Sequence, residues 1–278
     1  MRPYAFAGGT AVLTGAASGI GRALAQGLAA RRSHLALIDR DEEGLRTLVA
    51  RLRPQHPDLK ITAHGFDLTN LGDIPALADD VLSEHRGLTL LINNAGVALG
   101  GSFEQLTLDE FEWVMTINFR AVVATTKAFL PTLLSTPGSQ VVNVSSLFGL
   151  IGPAGQSAYS SSKYAVRGFS EVLRHELRPR GVGVTTVHPG GIRTNIARNA
   201  RVGAGVSPAE AGAGQREFER LLRMDPARAA RVILAGVEHR EPRVMVGSDA
   251  AVLDLLARLF PGSYGRVLDL LQARAGRS

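Results

Sequence analysis

The sequence predicts one α/β domain over residues 1–278, a doubly wound and mostly parallel sheet of seven strands with helices on both faces. Two observations point to it. Strand-length runs rich in Val, Ile and Leu alternate with stretches of helical period, which is the pattern of βαβ units and of a sheet covered on both sides. No internal repeat and no interdomain linker interrupts that alternation. Right-handed crossovers then leave a doubly wound sheet as the natural topology.

Taken in order, Thr10–Thr14 reads as the first strand and Ile20–Arg31 as its helix. His34–Asp39 precedes a helix over Glu42–Arg53, and Ile61–Gly65 precedes one over Gly72–Glu84. Leu88–Ile92 is followed by one long helical region, Leu108–Leu134, and Gln140–Ser145 by Ser157–Arg178. Val182–His188, the helix Pro226–His239 and the strand Arg243–Val246 complete the set. The Ala- and Gly-rich stretch Arg201–Gln215 has no clear apolar period and reads equally as a flap over a ligand or a surface loop; residues 195–225 are expected to cover the substrate. Asp249–Gln272 is amphipathic, its apolar set being Leu253, Leu256, Phe260, Leu268 and Leu271, so 249–273 is expected to form a helical extension. That extension packs on its own domain or a second subunit, or docks on a membrane or another protein.

Composition excludes several classes. There is no cysteine, hence no disulfide, thiolate metal site or thiol nucleophile, and the chain suits a reducing cytoplasm. The formal charge is +6 with pI near 10.3, and almost all of the excess is arginine. Those arginines are dispersed among acids, as in Asp41 to Arg53, rather than gathered with aromatics, so a solvated surface is expected and not a nucleic-acid partner. From Ala128 to Ser162 no residue is charged, yet Pro131, Pro137, Gly138 and Asn143 break that run, and no membrane span is expected. The glycines near the N-terminus argue against a signal peptide.

The first strand runs into Thr14-Gly15-Ala16-Ala17-Ser18-Gly19-Ile20-Gly21. A tight turn needs residues free to take positive φ, and a pyrophosphate needs backbone close by without a Cβ between. Gly15, Gly19 and Gly21 meet both needs at a helix N-terminus, so the domain is expected to be of the Rossmann type; a purely structural glycine turn is the alternative. No lysine follows as a P-loop requires. Asp39, about 20 residues on at the end of the second strand, can accept from ribose hydroxyls and repel a 2′-phosphate, which favours NAD over NADP. Arg40 complicates this, because its guanidinium can bind that phosphate; Asp39 can also be read as a helix-capping acid.

With Asn93-Asn94-Ala95-Gly96, Val142-Asn143-Val144-Ser145-Ser146, Tyr159-Ser160-Ser161-Ser162-Lys163 and Pro189-Gly190-Gly191-Ile192-Arg193-Thr194, the chain resembles the short-chain dehydrogenase/reductase family over about residues 8–197. The resemblance implies a catalytic set of Asn118, Ser146, Tyr159 and Lys163, with Ser145 the rival for the serine's place. It implies cofactor contacts from Gly15, Ser18, Gly19, Ile20, Gly21, Asp39 and Arg40; from Asp67 and Leu68 beside the adenine; from Asn94, Ala95 and Gly96; from Tyr159 and Lys163; and from Pro189, Gly190, Ile192 and Thr194. It also implies a homodimer or homotetramer and no metal.

Tyr159 and Lys163 are four apart on a helix and so share a face. A phenol titrates near 10, and bringing it to about 7–8 takes roughly 3–4 kcal/mol of preference for the phenolate. A nearby ammonium and an oxidised nicotinamide can supply that. Tyr159 would then take a proton as hydride leaves an alcohol carbon, Ser146 would bond the reacting oxygen, and Asn118 would hold a relaying water. Leu147, Phe148, Leu150 and Ile151 follow Ser146 and suggest an apolar alcohol or ketone, though core packing explains them as well. No H-E-x-x-H and no G-x-S-x-G is present, which leaves metal and serine-hydrolase chemistry without a motif. The competing readings are an NADPH-dependent carbonyl reductase, a non-catalytic nucleotide sensor on the same scaffold, and a scaffold subunit without turnover.

Overall fold

A computed structural model describes residues 2–85, 87–196 and 198–266. The first half alternates β1 (Thr10–Thr14), α1 (Gly19–Ala30), β2 (His34–Asp39), α2 (Glu42–Gln55), β3 (Ile61–Gly65), α3 (Ile74–Glu84) and β4 (Leu90–Asn93). After a two-residue strand β5 (Leu99–Gly100) come α4 (Leu108–Met115), a π-helical turn (Thr116–Arg120), α5 (Ala121–Ser135), β6 (Gln140–Val144) and α6 (Ser157–Leu177). The remainder is β7 (Gly183–Pro189), β8 (Arg201–Val202), α7 (Pro208–Leu221), α8 (Pro226–Glu238), β9 (Arg243–Val246) and α9 (Ser248–Leu259).

Seven strands form one sheet in the order β3-β2-β1-β4-β6-β7-β9, and every neighbouring pair is parallel. The strands alternate cleanly between two cores. Ala11 and Leu13 of β1 and Leu35 and Leu37 of β2 face one layer, with Leu24, Leu28, Leu48, Ile233 and Leu234 from α1, α2 and α8. Val12, Ala36 and Ile38 face the other, with Val81, Phe129, Leu133, Leu173 and Leu177 from α3, α5 and α6. Period-two alternation between two apolar faces is why these strands read as continuous hydrophobic runs. Between β1 and β4 the chain order reverses, and the crevice at the strands' carboxyl ends opens there.

Three expectations are corrected. The region Leu108–Leu134 is two helices, because the ladder widens into a π turn at Thr116–Arg120. The stretch Arg201–Gln215 is structured: Arg201 and Val202 pair with Leu99 and Gly100, and α7 starts at Pro208 behind a Ser207–Glu210 capping box. The C-terminal helix runs from Ser248 to Leu259; Leu253 packs beside Leu147, Ile151 and Ala250, whereas Phe260 is exposed. Leu268 and Leu271 lie outside the described residues. Among the described residues, no helix is long and apolar enough to cross a membrane.

Candidate active site

The crevice is a cavity of about 1170 Å³. One wall is the turn from Gly15 to Gly21, where Gly15 (φ 67°) and Gly19 (φ 51°) take the left-handed conformation. The turn is held from behind by β4: Asn94 Nδ2 donates to the carbonyls of Thr14 (3.0 Å) and Gly15 (3.1 Å). In return, Thr14 Oγ1 accepts from the backbone N–H groups of Asn94 (3.0 Å) and Ala95 (3.1 Å). Asp39 closes the far end of the turn, its two oxygens accepting from Ala17 N (2.9 Å) and Asp41 N (3.0 Å). The helix-capping acid of α2 is Asp41, which accepts from Gly44 N, so capping does not account for Asp39.

All the residues expected from the sequence to touch a cofactor line this one cavity: Gly15, Ser18, Gly19, Ile20, Gly21, Asp39, Arg40, Asp67, Leu68, Asn94, Ala95, Gly96, Tyr159, Lys163, Pro189, Gly190, Ile192 and Thr194. Ser146 lines it too. Asn118 does not. It is fully buried at the centre of the π turn, with Oδ1 accepting from Val97 N (2.8 Å) and Nδ2 donating to Val97 O and Ser162 Oγ (both 3.0 Å). Its side chain thus ties the π turn to the Val97 backbone and to Ser162 of α6.

The two serines part company. Ser145 Oγ donates to the Lys163 carbonyl at 2.8 Å and ties β6 to α6. The Ser146 hydroxyl accepts from Phe148 N (3.1 Å) and lies near enough to the Tyr159 phenol to act on its pKa. Lys163 Nζ donates to Val144 O (3.1 Å) and stands 5.8 Å from the centre of the Tyr159 ring, so the two side chains do share a face. Their electrostatics differ from the expectation. Burial raises the Tyr159 pKa above its ordinary value, against the lowering from the Ser146 bond, and burial brings Lys163 down to about 8. Burial is the largest cause at both groups.

Sequence reasoning missed one buried residue behind the cavity wall, His188, and several residues that line the cavity. His188, on β7 and buried, has Nδ1 3.1 Å from Ser146 O; since a carbonyl only accepts, Nδ1 carries the proton and supports the Ser146 backbone. Burial, as the largest cause, lowers its pKa to about 4. Trp113, Asn195, Ile196, Phe218, Leu221 and Met224 also line the cavity, so much of residues 195–225 flanks it. The Ser207-Pro208-Ala209-Glu210 capping signal, which went unread, could have marked the start of α7; nothing in the sequence marked where the segment would lie. Away from the cavity, His64, Asp80 and Glu84 approach one another, but both His64 nitrogens are engaged, with Asp80 Oδ2 (3.0 Å) and Thr62 Oγ1 (2.8 Å).

The short chain dehydrogenase family model matches residues 9–204. The chain belongs to that family. A Mycobacterium tuberculosis protein named as an oxidoreductase, SadH, is 42% identical over 267 residues, 95% of each chain. Among solved structures, a short-chain dehydrogenase/reductase from Burkholderia phymatum, in complex with NAD, superposes with a TM-score of 0.84 at 29% identity, covering 92% of this chain and 95% of that one. A short-chain dehydrogenase from Sphingobium yanoikuyae, in complex with NADPH, gives a TM-score of 0.75 at 30% identity over 95% of both chains. The enzyme is therefore an oxidoreductase of the short-chain dehydrogenase type.

Proposed function

We propose that the enzyme transfers hydride between NAD(H) and a secondary alcohol or ketone, or an aldehyde, with Tyr159 as the general acid and base. The observation that carries this is the convergence of Tyr159, Ser146 and Lys163 in the same cavity as the glycine turn and Asp39. The turn fits a dinucleotide on its own geometry: a Cβ at Gly21 would lie 1.9 Å from Gly15 O, and one at Gly15 would lie 2.8 Å from Ala95 Cα. The glycines let the turn close this tightly, so that the wall it presents to the cavity is largely backbone, as a diphosphate needs. Gly15, Ser18, Gly19, Ile20 and Gly21 would hold the phosphates with Thr194, and Asp39 the adenosine ribose. NAD(H) supplies the hydride acceptor or donor and, when oxidised, a positive charge.

In the oxidation direction Tyr159 Oη takes the proton of the substrate hydroxyl while the C–H bond gives up its pair as hydride. Ser146 Oγ–H donates to the same substrate oxygen and stabilises negative charge on it. Lys163, within the charged range below about pH 8, favours the phenolate. In reduction Tyr159 gives the proton instead. Tyr159→Phe is expected to lower turnover by at least about 10³-fold while NADH binding, read by its fluorescence, stays within about twofold. Turnover at the wild-type rate in that variant would sink the proposal.

The NADPH-dependent carbonyl reductase is the second reading, favoured by Arg40 lining the cavity beside Asp39 and by the NADPH held in the Sphingobium yanoikuyae relative. The carboxylate of Asp39 is locked in place by two backbone N–H groups and faces where a 2′-phosphate would add like charge, which supports NAD. A homodimer or homotetramer in the cytoplasm belongs to the same proposal; exposed Tyr164 and Val172 on α6 offer apolar surface for the subunit contact, and light scattering tests the subunit number.

A further inference from the structure

On the catalytic side of the cavity Trp113 packs with Leu99, Val114 and Ala158, the residue before Tyr159. The Arg201 guanidinium carbon lies 3.9 Å from the centre of the Trp113 ring, and both residues line the cavity. This arginine is held at its root. Its N–H donates to Ala98 O at 3.0 Å, and the β5–β8 pairing sets Arg201 opposite Leu99. Its head is not neutralised by a bonded acid: no carboxylate among the described residues makes an ion pair with it. Glu110 feels its charge, but the Glu110 oxygens accept from Thr107 N (2.9 Å) and Ala204 N (3.0 Å). Arg201 is itself exposed, and the cavity that the pair lines also carries the apolar side chains of Leu147, Phe148, Ile151, Pro153 and Leu221.

A guanidinium stacked on an indole has one face covered and its N–H edge still open, and that edge matches the two oxygens of a carboxylate. We infer that the substrate is an apolar alcohol or ketone that ends in a carboxylate, bound by Arg201 where it stacks on Trp113. This rests on the oxidoreductase reading of the same cavity and narrows its substrate class. Arg201 acts on specificity and takes no part in proton or hydride transfer.

Trp113 is the single tryptophan of the chain, so its emission reports the stack directly in the whole protein. Titration with hexanoate is expected to change that emission saturably, and methyl hexanoate is expected to leave it unchanged. Arg201→Ala is expected to weaken hexanoate binding about tenfold or more, with Arg201→Lys recovering only part, since an ammonium lacks the paired edge. In turnover, the preference for an oxo fatty acid over its methyl ester, read as a ratio of kcat/KM, is expected to fall about tenfold in Arg201→Ala. Equal responses to the acid and the ester, or an unchanged preference in Arg201→Ala, would overturn the inference. Because the emission needs no turnover, carboxylate binding without activity on any alcohol or ketone would count against the oxidoreductase reading alone.

Discussion

A methyl group at Gly21 would sit 1.9 Å from a backbone oxygen, that of Gly15, which cannot swing aside as a side chain can. Gly21→Ala is therefore expected to force the turn open, lowering stability by about 2 kcal/mol or more and NADH affinity at least about tenfold. Thermal unfolding and NADH fluorescence check the two separately. At Tyr159 the conflict is electrostatic rather than steric. Burial raises the phenol and lowers Lys163, to about 8, so each group resists the charge that proton transfer asks of it. A base whose pKa lies above neutral gains ionised fraction as pH rises, so kcat/KM for alcohol oxidation is expected to climb through the neutral range. A lysine cation beside a phenol favours the phenolate, so its removal is expected to raise the pKa. Lys163→Met is accordingly expected to move the rising limb to higher pH by about a unit or more, and to cut activity at neutral pH by about 10²-fold or more. A limb that stays where it was would show that the cation does not act on the phenol.

The elements matter because the site residues come from loops that other elements hold. Asn94 at the end of β4 spends its amide on the Thr14 and Gly15 carbonyls, so the first βα turn is fixed by the strand beside it. Asn94→Ala would orphan those carbonyls, and a loss of about 1–3 kcal/mol in stability with weakened NADH binding is the expected result, measured by denaturant unfolding and by titration. The glycine turn and the Tyr159–Lys163 pair could be read in advance because their geometry is local, spacing on one turn or one helix deciding it, whereas Asn94 and the Pro189 segment were placed only by the family resemblance. The seven main strands could be read for the same reason, their apolar runs being long and buried on both faces. What could not be read depends on contacts distant in sequence. Asn118 looks like a polar residue on a continuous helix, and only the fold shows it bonded to Val97 and Ser162 inside a π turn. Arg201 sits in an Ala- and Gly-rich stretch without period, and its order comes from pairing with Leu99, which lies far upstream. Ser145 and Ser146 are adjacent and alike; the direction of β6 decides which one reaches the phenol.

Across the molecule, two buried histidines stand toward opposite edges of the sheet. His85 hydrogen-bonds Thr62 of β3 at one edge strand, and His188 belongs to β7, next to the other edge strand β9. Burial is the largest cause in both, and it lowers each pKa from 6.5 to about 4; Lys60 and His64 add to the effect at His85, and Arg243 and Arg167 at His188. The sign follows from proton counting. Above about 6.5 the histidines are neutral whether the chain is folded or not, so they impose no pH dependence. Between about 6.5 and 4 the unfolded chain binds protons that the folded chain refuses, and stability falls as pH falls, by at most about 3 kcal/mol for each histidine. Below about 4 the folded state takes up the protons too and this loss levels off. The melting temperature is expected to be flat from pH 8 to 7 and to drop steadily toward pH 4.5, and His188→Gln is expected to flatten that slope while lowering stability at neutral pH through the imidazole's lost packing and its bond to Ser146 O. Acid adds its proton at Nε2 and leaves the Nδ1–H bond to Ser146 O in place, so activity should fall with the melting temperature and not ahead of it. A melting temperature unchanged between pH 7 and 4.5 would show that neither histidine is kept neutral by the fold.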